Sequence, residues 1–198
     1  MNEEKLDWLS KGKIYYDRSN YDQALRCYCN ALTIDPQNRD AQFMKGRILL
    51  RKSMFSDAMS CFNKVLDDHP EDRDALLFKG NILYRKSKKD EAMQCYERIL
   101  KSYSSDQHAL LWKGKILRED QKYKEALTCY VAAWDKEPRL SQAFQNICEI
   151  LMILGKYDDV VGICERALEY SPDDLTADFI RREALKYKSK LNLKQMIN

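Results

Sequence analysis

The chain has 198 residues, 44% hydrophobic and 33% charged, with a formal net charge of +3. That charge density is too high for a membrane protein, and no apolar run reaches the roughly 18 residues a membrane helix needs. The opening Met1-Asn2-Glu3-Glu4-Lys5 lacks the apolar core of a secretion signal, and no linker or low-complexity segment interrupts what reads as one continuous domain over 1–198.

The first element pair occupies residues 5–38. Its Lys11-Gly12 pair is followed by Ala24, Tyr28 and Ala31, and Pro36 closes it. The same set returns 34 residues later, in 39–72, as Lys45-Gly46, Ala58, Phe62, Val65 and Pro70. In 73–106 it is Lys79-Gly80, Ala92, Tyr96 and Ile99, with Ser104 where the proline stood. In 107–140 it is Lys113-Gly114, Ala126, Tyr130, Ala133 and Pro138. Residues 141–174 carry a weaker copy, with Cys148 for the glycine, Val160 for the alanine and Cys164 for the aromatic. A fixed period of this size is the signature of a stack of identical units.

Within each unit the apolar residues are spaced by three and four. In the third, Leu76, Leu77, Gly80, Leu83 and Tyr84 precede Ala92, Cys95, Tyr96, Ile99 and Leu100. That is the helical period. Ser19-Asn20, Ser53, Ser87 and Gly155 break each unit in the middle, so each reads as two antiparallel helices of about 14 residues, roughly 21 Å long. The prolines end one unit, and Asn38, Asp72 and Asp106 cap the next. Glycine inside a helix costs up to about 1 kcal/mol against alanine. A cost repeated four times implies a repeated close approach. We expect it between two helix backbones, with the alanine column as the facing small surface and the aromatics filling the space between units.

Residues 175–198 form a tail with Arg181, Arg182, Lys186, Lys188, Lys190 and Lys194 against Asp178 and Glu183. This excess exceeds the net charge of the whole chain, so the repeats themselves are slightly acidic. Ala177, Ile180, Ala184 and Leu191 recur at helical spacing and predict a closing helix over the apolar end of the fifth unit, as terminal repeats require.

Seven cysteines and two histidines do not assemble into chemistry. Cys27, Cys61, Cys95 and Cys129 share one column, and successive helix pairs are too far apart for disulfides between them. They read as small core residues, reduced in an intracellular setting. Cys148 and Cys164 replace two residues that meet in the repeat core, and can lie together as buried free thiols. No CxxC occurs, His69 precedes Pro70 in an exposed inter-repeat turn and His108 lies near the start of a first helix, so no metal, no cofactor and no catalytic residue is expected.

These columns resemble the tetratricopeptide repeat family, whose pattern is W-x2-L-G-x2-Y, then A-x3-F, an alanine and a proline. The first unit reads Trp8, Lys11-Gly12, Tyr15, Ala24, Tyr28, Ala31 and Pro36, with lysine where the family usually has leucine. The match covers residues 5–174. The resemblance implies an all-α, right-handed solenoid of antiparallel helix pairs, five repeats and a capping helix. It also implies a concave groove lined by the first helix of each pair.

By that resemblance the residues facing the groove are Leu9, Lys13 and Tyr16, then Phe43, Arg47, Leu50 and Arg51, then Leu77, Asn81, Tyr84 and Arg85, and finally Leu111, Lys115 and Arg118. They make an apolar stripe flanked by bases, suited to a segment with apolar anchors and acidic side chains. Family members that bind chaperone tails clamp a terminal carboxylate with lysine, asparagine and arginine. Leu9, Lys13, Leu77 and Asn81 stand at matching positions here, so that clamp is absent. The expected function is a cytoplasmic, non-enzymatic scaffold binding a protein or peptide in the groove. The alternative is self-association through Leu6, Leu9 and Tyr16. Nucleic acid is a poor partner for a body of this charge.

Overall fold

The computed structural model describes residues 2–136 and 141–197, so Pro138 lies outside the description, as does the side chain of Lys194. Among the described residues there are eleven α-helices and no strand. They are α1 (Asn2–Asp17), α2 (Tyr21–Ile34), α3 (Arg39–Arg51), α4 (Phe55–Asp68), α5 (Arg73–Arg85), α6 (Lys89–Ser102), α7 (Gln107–Glu119), α8 (Tyr123–Lys136), α9 (Ser141–Ile153), α10 (Tyr157–Tyr170) and α11 (Leu175–Ile197). The chain forms two compact units, Met1–Ser102 and Tyr103–Asn198. In the first, α1–α2, α3–α4 and α5–α6 pack as pairs, with α2 against α3 and α4 against α5. In the second, α7–α8 and α9–α10 pair, α8 packs on α9 and α11 on α10.

The helix boundaries follow from side-chain chemistry. Asn38, Asp72 and Asp106 each accept a hydrogen bond from the backbone N–H three residues on, at Ala41 (2.9 Å), Ala75 (2.8 Å) and Ala109 (2.8 Å). Asp174 does the same for Ala177, at 3.1 Å. The turn inside each pair is closed by one residue in the left-handed region. That column is Ser19, Ser53, Ser87, Gln121 and Gly155, with φ between 59° and 67°. The next residue's N–H reaches back into the helix to close the motif, as Met54 does to the Leu49 carbonyl at 2.9 Å.

The four glycines meet aromatic rings, not the alanine column. A Cβ at Gly12 would lie 2.9 Å from Tyr28, at Gly46 2.9 Å from Phe62, at Gly80 2.7 Å from Tyr96 and at Gly114 2.9 Å from Tyr130. Each ring belongs to the second helix of the same pair and is buried. The expectation of backbone against alanine is thereby corrected. Ala24, Ala58, Ala92 and Ala126 are fully buried, but the aromatic ring is what needs the missing side chain. Burial pushes the phenols of Tyr28 and Tyr130 up to about 12, so both stay neutral.

In the fifth pair the sizes are exchanged. Cys148 stands at the glycine position and Cys164 at the aromatic one, and both are buried. The neighbouring Cys164 thiol, together with burial, pushes the Cys148 thiol up, so it stays protonated. All seven cysteines are free thiols, and burial raises the column of Cys27, Cys61, Cys95 and Cys129 above the usual thiol range. Helix α11 buries Ala177 and Ala184 and stacks Tyr187 on Tyr157, with centroids 5.9 Å apart. Leu191 lies on its exposed side at 42%, and Leu175 and Phe179 are more open still.

One ion pair locks successive pairs together in the first unit. Arg39, at the start of α3, donates to both carboxylate oxygens of Asp72, at 2.8 and 3.2 Å, while Asp72 also caps α5. Burial works against the Asp72 charge, but the Arg39 guanidinium and the helix N–H outweigh it and hold its pKa below the usual carboxylate value.

Two outcomes follow from these contacts. Gly80→Ala places a Cβ against the Tyr96 ring, so denaturant unfolding should show a net loss of about 1–3 kcal/mol despite alanine's better helix propensity. Asp72→Asn keeps a capping side chain but loses the ion pair, costing about 1 kcal/mol at pH 7. Because the folded carboxyl is depressed, its contribution is present above the unfolded value near 4 and is lost as pH falls through the folded value. The gap between wild type and Asp72→Asn should therefore close as unfolding is measured at progressively lower pH. A gap that persists in acid would place the effect outside the ion pair.

Candidate functional site

The first helices of unit one, α1, α3 and α5, line two clefts. One of about 390 Å³ is bounded by Tyr16, Arg47, Leu50, Arg51, Phe78, Asn81, Ile82 and Arg85. The other, about 450 Å³, includes Leu9, Lys13, Tyr16, Phe43 and Arg47 among its walls. Tyr16 and Arg47 belong to both, so the clefts share a border. Nine of the sequence-selected residues are thus brought together: Leu9, Lys13, Tyr16, Phe43, Arg47, Leu50, Arg51, Asn81 and Arg85.

The apolar anchors sit deeper than the sequence implied. Phe43 is only 7% exposed and Leu77 only 8%. Phe43 packs edge-on against Phe62 (5.8 Å) and Phe78 (5.5 Å), and Phe62 and Phe78 are stacked at 5.4 Å. Phe43 therefore forms a cleft floor and contributes to the core, while Leu77 lies in the core of α5. Phe78, one residue beyond the selected column, takes the wall position in the smaller cleft. Its helical neighbours carry the same apolar period, so spacing alone did not separate it from the core.

The arginines are held by rings. The Arg47 guanidinium lies 5.1 Å from the Tyr16 ring centre and 5.9 Å from those of Phe43 and Phe78. Arg51 lies 5.3 Å from Tyr21 and 5.8 Å from Tyr16, and its Nε donates to the Tyr16 hydroxyl at 3.2 Å, which raises its pKa further. Arg85 lies 5.9 Å from the Phe55 ring. Such contacts orient the guanidinium face; one Arg47 N–H reaches Met44 Sδ at 3.6 Å and Arg51 Nε is taken by Tyr16, and the other N–H groups of these two remain available. None of the three has a carboxylate partner among the described residues. Asn81 is oriented too: the Tyr96 hydroxyl donates to its Oδ1 at 2.8 Å, which leaves both amide N–H groups free to donate.

Unit two presents its selected residues differently. Arg118 pairs with Glu149, so the basic flank expected there is neutralised. Lys115 Nζ sits 4.9 Å from the Trp112 ring centre, and Leu111 is half-buried. Tyr84, in unit one, is also half-buried. Among the described residues no group of three or more histidine, cysteine or acidic side chains is placed to hold a metal ion. No helix among them is long and apolar enough to cross a membrane.

Models of the tetratricopeptide repeat match residues 43–106 and 83–139, and a TPR repeat model matches residues 12–53. Among solved structures, a tetratricopeptide repeat protein from Parabacteroides merdae shares 17% identity with a TM-score of 0.75, covering 98% of this chain and 77% of that one. YrrB, described as a TPR protein with an unusual peptide-binding site, shares 21% identity at a TM-score of 0.68, covering 91% of this chain and 94% of its own. The MamA protein shares 18% identity at a TM-score of 0.68, covering 96% and 91%. No curated protein matches the chain. With the glycine–aromatic register repeated through its helix pairs and the family pattern matched along it, the chain belongs to the tetratricopeptide repeat family.

Proposed function

We propose that the protein is an interaction scaffold that takes an extended segment of a partner protein along its first helices, with the two adjoining clefts of unit one as the principal seat. The observation that carries this reading is the lining of those clefts. Apolar floor residues, Phe43, Leu50 and Phe78, lie beside arginines fixed by aromatic stacking and without carboxylate partners. A surface of that kind gives a segment both a place to bury side chains and a polar rim to set its direction. The peptide-binding site described for YrrB is in keeping with this use of the fold. A cytoplasmic setting goes with it, since seven free thiols suit a reducing compartment. The repeat surface acts by binding, with no chemical step assigned to it.

A second reading is self-association through α1. Leu6 is 58% exposed and Ile14 49%, so the helix carries apolar area outside the clefts. The two readings part in one set of measurements. Light scattering across a concentration series reports self-association, and pull-down followed by mass spectrometry supplies a partner. Arg51→Glu with Arg85→Glu should weaken that partner's binding by at least about tenfold and leave the melting curve in place, because both side chains are exposed and rim charges govern orientation. Unchanged affinity in the double variant would remove the clefts as the binding surface. A mass that rises with concentration, and falls back in Leu6→Glu, would favour self-association.

A further inference from the structure

The smaller cleft of unit one has a chemical bias that goes beyond a general basic character. Its polar lining is dominated by donors. Arg47, Arg51 and Arg85 have no acceptor atoms in their side chains. The Asn81 carbonyl oxygen accepts from the Tyr96 hydroxyl, and its two N–H groups remain as donors. The Tyr16 oxygen already accepts from Arg51, which leaves its O–H to donate. The other three walls, Leu50, Phe78 and Ile82, are apolar, and no acidic residue is among the eight.

Charge count then chooses among anions. At about 390 Å³ the cleft is near the small end of ligand sites, and three of its eight lining residues are arginines. A single carboxylate supplies one negative charge and two oxygens to this set. A phosphomonoester supplies about −1.5 to −2 and three acceptor oxygens, which matches three guanidinium edges supplemented by an amide and a hydroxyl. The guanidinium faces are already stacked on Tyr16, Tyr21, Phe43, Phe55 and Phe78, so the side chains lose little further freedom on binding.

We propose that this cleft receives the phosphoryl group of a phosphoserine or phosphothreonine in the bound protein segment. The inference rests on the reading that unit one takes such a segment, and it adds that phosphorylation of the partner controls capture. The neighbours of the phosphorylated residue lie along Leu50 and Phe78 and continue into the adjoining cleft past Tyr16 and Arg47.

The test uses the full chain and three degenerate peptide pools that differ only at a fixed central residue: phosphoserine, serine or glutamate. Fluorescence anisotropy should show the phosphoserine pool bound at least about tenfold more tightly than either other pool, as a dianion with three acceptors gains several charge-assisted hydrogen bonds. Arg51→Gln with Arg85→Gln should abolish that preference. Arg26→Gln with Lys101→Gln removes the same charge from exposed sites outside the cleft and should preserve it. Equal binding of the three pools, with the affinity still sensitive to Arg51 and Arg85, would overturn the phosphoryl assignment and leave the scaffold reading standing. A phosphoserine preference that survives the Arg51 and Arg85 changes, or that falls equally in the control variant, would overturn the assignment of this cleft. Binding of no pool would overturn the phosphoryl inference, while the scaffold reading would still be decided by the captured partner.

Discussion

The contact on which the structure depends is an aromatic ring laid on a glycine. It occurs in four helix pairs, always between the glycine of the first helix and the ring sixteen residues later in the second. Only a residue without a Cβ lets the ring come this near. That closeness brings the alanine of the second helix into full burial and sets the distance at which the pair packs. The fifth pair reaches the same end with the volumes exchanged: a larger residue, Cys148, in the glycine position and a smaller one, Cys164, in place of the ring. In α11 the equivalent position, 34 residues after Cys148, is Arg182, its side chain 71% exposed and paired with Asp178.

Much of this fold was legible because duplication turns one ambiguous helical pattern into five aligned ones. Registers, turns, caps and the closing helix could all be read by comparing copies. What could not be read was which neighbour each face meets. Spacing put the glycine and alanine columns on packed faces and suggested that they met each other, whereas the ring lies between the choices. Gln121 escaped notice as a turn residue because glutamine has no special tolerance for positive φ. It takes φ 59° because the helix termination around it requires that geometry in every copy. Conformation at that column is imposed by the hydrogen bonds of the turn and not by the residue's own preference.

The cleft was legible in part for the same reason. Columns aligned by the glycine identify which side chains emerge on the first-helix face, and nine of them gather around two adjoining clefts. Depth was not legible, because it depends on the bulk of neighbours in adjacent copies. Leu9 and Phe43 occupy one column, yet Leu9 is half-buried and Phe43 lies under Phe62, Phe78 and two guanidiniums. The orientation of Asn81 was beyond sequence altogether. It is set by the hydroxyl of Tyr96, a ring already fixed by its own contact with Gly80. The core thus reaches the cleft through one hydrogen bond, which fixes how the amide is turned.

The same scaffold geometry also decides where charge is left uncompensated. The position four residues after the glycine in one pair meets the position one residue after it in the next. In unit one that slot holds Tyr16 against Arg47, a ring under a guanidinium at 5.1 Å. In unit two it holds Arg118 against Glu149, an ion pair. Backbone and register are equivalent, but the electrostatic result is opposite. A carboxylate satisfies the guanidinium's edge and cancels its charge, whereas a ring satisfies only its face and leaves both edge and charge to the solvent or a ligand. Neither slot residue takes part in the glycine–aromatic contact, so the exchange does not touch what holds the pair together. Duplication supplies identical slots, and substitution within one slot sorts the copies into those that hold their charge closed and those that present it. In unit one the ring of Tyr16 in this slot leaves Arg47 without a carboxylate partner among the described residues, and the charge of the cleft is thus set by local register rather than by the net charge of the chain.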